Sequence, residues 1–209
     1  MQQILHVGCG PARLNSLPAY FQSGDWQEVR LDIDQNVQPD VVGTILDMAL
    51  IADESVDAVY SSHNIEHVFP HEVLKALYEF NRVLRHDGIA VILCPNIQAV
   101  AKAVAEGNLM EPLYHSPAGP ISAIDIMYGH RAAIAAGQVY MAHKTAFTSS
   151  TIASHLRHAG FATVVVAEDT IYGLHCIAYK TARSSAAMED DCSKCFPPRN
   201  ALVAITVHS

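Results

Sequence analysis

Ile4-Leu5-His6-Val7 followed by Gly8-Cys9-Gly10-Pro11 is the stretch whose reading decides the fold. Four residues that read as a buried strand stop at a glycine turn. The chain beyond it, to about Phe21, reads as a helix. Glycines at such a turn let the backbone approach a ligand, and the helix start behind them favours a negatively charged group. A lone G-x-G occurs often by chance, so its weight depends on the next strand. Glu28 to Asp34 alternates and reads as that second strand, with Asp32 22 residues beyond Gly10. A carboxylate at that place can accept hydrogen bonds from ribose hydroxyls.

Further along the chain, Val41-Val42 leads into Thr44-Ile45-Leu46-Asp47 as a short third strand, and Val56 to Ser61 reads as a fourth. From Pro70 to about His86, Val73, Leu74, Leu77, Phe80, Val83 and Leu84 recur at helical spacing, with Gly88 as the stop. Ile89 to Cys94 is a continuous apolar run, as expected of a strand covered on both faces. Residues 97–147 break this rhythm with seven glycines and prolines among short alanine-rich pieces. That is too long for an ordinary connection and reads as an inserted lid. Ser149 or Ser150 would cap a helix ending at Gly160, and Phe161–Val166 and Gly173–Tyr179 read as two closing strands. The order implies an α/β sheet, parallel in its early part. The expected organisation is one domain over 1–180, carrying the 97–147 insertion, and a C-terminal tail over 181–209.

Composition narrows the partners. The chain has 209 residues, 50% of them apolar and only 16% charged, with a formal net charge of -8. An acidic balance argues against a nucleic-acid footprint. No apolar run is long enough to span a membrane, and the N-terminus reads straight into a strand with no secretory leader. Five cysteines fit free thiols in a reducing compartment, so a cytoplasmic location is expected. Cys192-Ser193-Lys194-Cys195 reads as a surface or tail pair without a required role, since a zinc site needs two further ligands. The twelve histidines are many for this length, and six of them (His63, His67, His71, His115, His130, His143) fall after the fourth strand or in the insertion.

With these pieces in order, the chain resembles a class I S-adenosylmethionine-dependent methyltransferase of the small-molecule type. The resemblance rests on His6-Val7-Gly8-Cys9-Gly10, Leu31-Asp32-Ile33-Asp34, Leu46-Asp47-Met48 and Ser61-Ser62-His63-Asn64-Ile65-Glu66-His67. It continues through the helix to Arg85-His86-Asp87-Gly88 and in Ala146 to Phe161. It covers about 3–96 and 145–180. It implies a doubly wound, Rossmann-like sheet of seven mostly parallel strands, the last antiparallel, with the insertion after strand five. It also implies S-adenosylmethionine as cofactor. Gly8 and Gly10 would pass the methionine part, Asp32 would hold the ribose hydroxyls, and Asp47 and Met48 would meet the adenine; His6, Cys9 and Ile33 would be further cofactor contacts. Ser61, Ser62 and His63 would border the reacting methyl. Two positions depart from the family pattern: His6 stands where an acid is common, and Ala12 where a third glycine is common.

Methyl transfer from a sulfonium mainly needs positioning in a water-poor site, with a base only if the acceptor must lose a proton. His63, Glu66 and His67 are the candidates for that base. The same residues spell H-x-x-E-H, a zinc pattern when carried on a helix. Here they follow a strand, so no metal site is expected. Tyr114, Tyr128, His130, Arg131 and His143 are the candidate acceptor contacts, Arg131 suiting a carboxylate or phosphate. The expected function is methyl transfer to a small-molecule acceptor, with a possible homo-oligomer. The alternative is a non-catalytic S-adenosylmethionine-binding module or regulatory subunit of the same fold. A nicotinamide-dependent dehydrogenase would want a fuller glycine motif than one with Arg13 at its third position. Nucleic-acid methylation of the amino type would want a proline–aromatic tetrad, usually after strand four, and Cys94-Pro95-Asn96-Ile97 after strand five is not one.

Overall fold

Strand β1, Gln2–Val7, lies between β2, Trp26–Asp32, and β4, Val56–Ser62, and is parallel to both. The computed structural model describes residues 1–22, 24–198 and 201–208. β3, Val41–Val42, pairs with β2, and β5, Leu84–Pro95, with β4, again parallel. β9, Gly173–Tyr179, runs antiparallel between β5 and β8, Thr163–Asp169. β10, Leu202–His208, then adds antiparallel to β8. The sheet order is β3-β2-β1-β4-β5-β9-β8-β10. The α/β, mostly parallel architecture is the expected one, but the sheet has eight strands rather than seven. The eighth comes from the apolar run at the end of the tail, whose backbone groups find partners on the free edge of β8.

Each face of the sheet has its own core. On one face α1, Val73–Val83, and α5, Ser149–His158, set Leu77, Phe80, Ile152 and Leu156 against Leu5, Val7, Val59 and Ile92. Leu77, Phe80, Ile152 and Leu156 are all fully buried, which the three- and four-residue spacing demands. On the other face Ile4, Tyr60, Val91 and Ile177 meet Leu17, Phe21, Cys195 and Phe196. The last two lie on and just after α6, Ser185–Cys195. Cys195 is therefore a core residue rather than a surface one. The five cysteines are free thiols.

Several local expectations change. The stretch after Gly10 forms two 3-10 turns, Leu14–Ser16 and Ala19–Phe21, because Pro18 interrupts any continuous helix and N-caps the second turn. α1 stops at Val83, and the chain turns directly into β5 at Leu84, so Gly88 lies inside a strand instead of ending a helix. The cap of α5 is Thr148, whose side chain accepts from the Thr151 N–H in a reciprocal capping box. The insertion contains α2, Ile97–Ala105, the hairpin β6–β7, Pro112–Ser116 and Gly119–Ser122, then α3, Ala123–Tyr128, and α4, Arg131–Ala135. A 3-10 turn at Val139–Met141 leads out of it. Val100, Ile121, Ala123 and Ile126 give it a small core of its own. Among the described residues no helix is long and apolar enough to cross a membrane.

Candidate functional site

The strand order reverses between β1 and β4, and a crevice at the carboxyl ends of the strands follows from that reversal. A cavity of about 570 Å³ occupies it, a size in the range of small-molecule sites, roughly 300–1,000 Å³.

The glycine turn forms one wall. Gly8 has φ +59° and Gly10 φ +50°, both left-handed. A Cβ on Gly8 would stand 2.4 Å from Asn64 Cγ, whereas one on Gly10 would meet nothing within 4 Å, because the cavity lies in front of it. Asp32 ties this turn to the end of β2. Its Oδ2 accepts from Gly10 N at 2.7 Å and its Oδ1 from Asp34 N at 2.8 Å. Each oxygen keeps a further lone pair for a ligand. From below, the buried Arg30 guanidinium donates to the carbonyls of Gly10, Ala12, Val37 and Gln38. His6 points away from the cavity. Its ring donates from Nδ1 to Glu28 Oε1 at 2.8 Å and packs edge-on against Tyr60. Glu28 also accepts from Leu14 N, so the carboxylate near this turn comes from β2 rather than β1. Burial, opposed by Glu28, leaves the His6 imidazole below its ordinary pKa.

Of the expected cofactor residues, Gly8, Gly10, Asp32, Ile33 and His63 border the cavity. Cys9 is buried beside it, and burial pushes its thiol up to about 11. Asp47 faces solvent and caps Ala49 N, while Met48 is buried and donates its N–H to Glu79. Gly43 to Leu46 form the wall that the resemblance assigns to Asp47 and Met48. Ser61 and Ser62 lie on β4 outside the lining, Ser61 fully buried with its Oγ unpartnered.

The roof comes from the insertion. Gln138, Tyr140, Met141 and Lys144 border the cavity, and Tyr140 donates its hydroxyl to Asp34 Oδ2 at 3.1 Å. Lys144 Nζ sits 4.8 Å from the Phe69 ring centre, and Phe69 lines the opposite wall. None of Arg30, Asn64 and Tyr140 follows from spacing in the sequence. Of these, Asn64 alone carries a signal, its place within the Ser61–His67 motif.

His63, Glu66 and His67 come together at the end of β4. Ile65–His67 is a single 3-10 turn, so the helical zinc-protease arrangement is absent. His63 and His67 border the cavity; Glu66 lies behind them and is 1% exposed. His63 holds a left-handed backbone, φ +49°, with its N–H on Leu93 O. Burial drives the Glu66 carboxyl up, but the nearby His63 ring, 3.4 Å away, and the charges of His67 and His143 outweigh it and hold the group below its usual range. His143 reaches the same place from the insertion: ligand atoms of Glu66, His67 and His143 lie within 4.8 Å of one another.

The remaining acceptor candidates stand apart. Arg131 is committed to Asp125, Nε to Oδ1 at 2.7 Å, and to Ser122 Oγ, which holds α3 and α4 together. Tyr114 stacks on Tyr172, Tyr128 faces solvent, and His130 is the N-cap of α4. Of the five, only His143 approaches the site.

Residues 5–92 match the family model described as a methyltransferase domain. No curated protein matches the chain. Among solved structures, a Burkholderia thailandensis 1,6-didemethyltoxoflavin N1-methyltransferase, bound to 1,6-didemethyltoxoflavin and S-adenosylhomocysteine, is 17% identical; the match covers 86% of this chain and 71% of that one, with a TM-score of 0.52. A Methanosarcina mazei S-adenosylmethionine-dependent methyltransferase is 16% identical over 87% of this chain and 93% of its own, at 0.58. A Thermotoga maritima methyltransferase, described as a possible histamine N-methyltransferase, is 13% identical over 87% and 83%, at 0.53. Likeness at this level of identity is likeness of fold.

Proposed function

We propose that this class I methyltransferase domain binds S-adenosylmethionine in the cavity at the β1–β4 crevice and transfers its methyl group to a small-molecule acceptor. The observation that carries the reading is the Asp32 carboxylate at the carboxyl end of β2, facing a glycine turn whose second glycine opens on empty space. That arrangement fits a ribose diol beside a chain that must approach the backbone closely. Asp32 would take the ribose hydroxyls, and Gly8 and Gly10 the methionine portion. Thr44, Ile45 and Leu46 would flank the adenine, and His63 would border the transferred methyl. When bound, the cofactor supplies a methyl carbon already activated by a sulfonium. The protein's part is then to orient the acceptor, keep water out beneath Tyr140 and Met141, and remove a proton where the acceptor needs it. His63, which borders the cavity, would take that proton.

Calorimetry with S-adenosylmethionine and S-adenosylhomocysteine tests the assignment. Both should bind, and Asp32→Ala should weaken them by roughly 10- to 100-fold, the loss of about 1.5–3 kcal/mol expected for hydrogen bonds to a charged group. Absence of binding by either ligand at millimolar concentration would overturn the reading. Binding with no turnover on any of a broad acceptor panel would favour the non-catalytic module.

A further inference from the structure

We propose that Glu66, His67 and His143 form a binding site for one divalent transition-metal ion at the carboxyl end of β4. Two independent observations carry it. The first is the donor set. Their ligand atoms lie within 4.8 Å of one another, so a common centre lies within about 2.8 Å of each, against about 2.0–2.2 Å for zinc bonds to nitrogen or oxygen. Side-chain shifts of less than an ångström close that gap. The second is that Glu66, 1% exposed, has no hydrogen-bond partner on either carboxylate oxygen, the nearest base being His63 Nδ1 at 3.4 Å. A buried carboxylate left so is costly unless a cation satisfies it.

His143 is oriented as a ligand would be. His143 Nδ1 donates to Ile126 O at 2.7 Å, which leaves Nε2 as the free atom. A backbone carbonyl in that position is the usual outer partner of a metal-bound imidazole. His67 has Ala142 O and His63 O each 3.1 Å from a ring nitrogen. A neutral ring can donate to only one of them, and a turn of the ring takes the other nitrogen off its carbonyl and frees its lone pair for the ion. Two imidazoles and one carboxylate favour zinc, cobalt or iron over magnesium or calcium. Three protein ligands also leave positions open, as catalytic metal sites do. Because His63 and His67 line the cavity, those positions would face it and take an oxygen or nitrogen donor from the small molecule that enters.

The site is titrated without cofactor, so its failure and the failure of the methyltransferase reading are separate results. The full chain, stripped with a chelator, is titrated with Zn²⁺ by calorimetry and with Co²⁺ by visible absorption. One ion per chain is expected, with an intense Co²⁺ band of low coordination number. His143→Ala should weaken Zn²⁺ binding by at least about 100-fold, beyond the 10- to 100-fold typical of losing only an outer partner. Glu66→Gln should do the same, and His86→Ala, an exposed histidine elsewhere, should change nothing. If Glu66→Gln does not fold, His143→Ala and the wild-type Co²⁺ spectrum decide. Weak octahedral Co²⁺ absorption, or tight binding that survives His143→Ala, would overturn the site.

Discussion

Gly8 and Gly10 look alike in sequence, and the structure predicts that replacing them has unequal effects. Gly8→Ala must hold φ +59°, which costs about 1–2 kcal/mol for a residue with a Cβ. The new carbon would also stand 2.4 Å from Asn64 Cγ, so Asn64 has to leave its rotamer, at about 0.5–1.5 kcal/mol more. The total is roughly 1.5–3.5 kcal/mol. Gly10→Ala carries only the backbone term, about 1–2 kcal/mol, since nothing lies within 4 Å of its Cβ position. Its methyl instead projects into the cavity. Gly10→Ala should therefore be the milder change in stability and the more direct one in binding. Denaturant unfolding of both variants measures the first quantity, and calorimetry with S-adenosylhomocysteine the second. Asn64→Ala supplies the control: combined with Gly8→Ala it should recover the steric part, a coupling of about 0.5–1.5 kcal/mol within the range for residues in contact. Equal destabilisation by the two glycine variants, or no recovery in the double variant, would refute the reasoning.

Three further outcomes rest on named contacts. Arg30→Met should destabilise by about 2–4 kcal/mol in urea unfolding, because it strips the donors from four carbonyls that hold the glycine turn to the turn after β2. Phe196→Ala should cost about 3–5 kcal/mol in the same assay, since Phe196 is 8% exposed and belongs to the second core; a loss under about 1 kcal/mol would mean that residues 181–209 are an appendage. Asp169 gives a pH signature. Burial raises its carboxyl pKa, but His175 and the N–H groups of Gly173 and Ile171 outweigh this and hold it below the usual range. A group depressed on folding stabilises the protein above its unfolded pKa of about 3.9, and that stability fades as pH falls through the folded value. Asp169→Asn should flatten the fall in melting temperature below about pH 4; an unchanged acid limb would count against it.

The legible part of the sequence is whatever the chain expresses through periodicity. β9 falls on its expected residues, and Val73, Leu77, Phe80 and Val83 form the buried stripe of α1 as their spacing implies. The glycine turn and Asp32 are legible because both lie at strand ends, where turn residues and acids stand out against apolar runs. Asp47 and Met48 show the limit. The resemblance sets them against the adenine, yet a tight turn bridged from Thr44 to Asp47 rotates Asp47 to solvent and Met48 into the core. Side-chain direction in a short turn depends on dihedrals that residue type does not dictate. Arg131 shows another limit. In sequence it and Asp125 are two polar residues of an insertion, six positions apart, and only the packing of α3 against α4 makes them a pair. The eighth strand is hidden because an apolar run after Pro197-Pro198 has no period of its own; the open edge of β8 gives it a structure.

The insertion and the end of β4 are joined more closely than a lid hinged over a pocket would require. Lys144 N and Thr145 N both donate to Glu66 O, at 2.8 and 3.2 Å. His67 turns toward Ala142 O, and His143 N donates to Tyr128 O, which carries the connection back to α3. Earlier in the same segment, Tyr140 reaches Asp34 beyond β2. Residues 138–145 therefore touch both ends of the cavity, the Asp32–Asp34 end and the His63–His67 end. Backbone bonds fix the second contact and one exposed hydroxyl fixes the first. A backbone pair to a buried residue is hard to open, because the freed groups find no water; a single exposed tyrosine contact opens at little cost. Opening of this segment should accordingly begin at the Tyr140–Asp34 contact while its backbone stays held at Glu66.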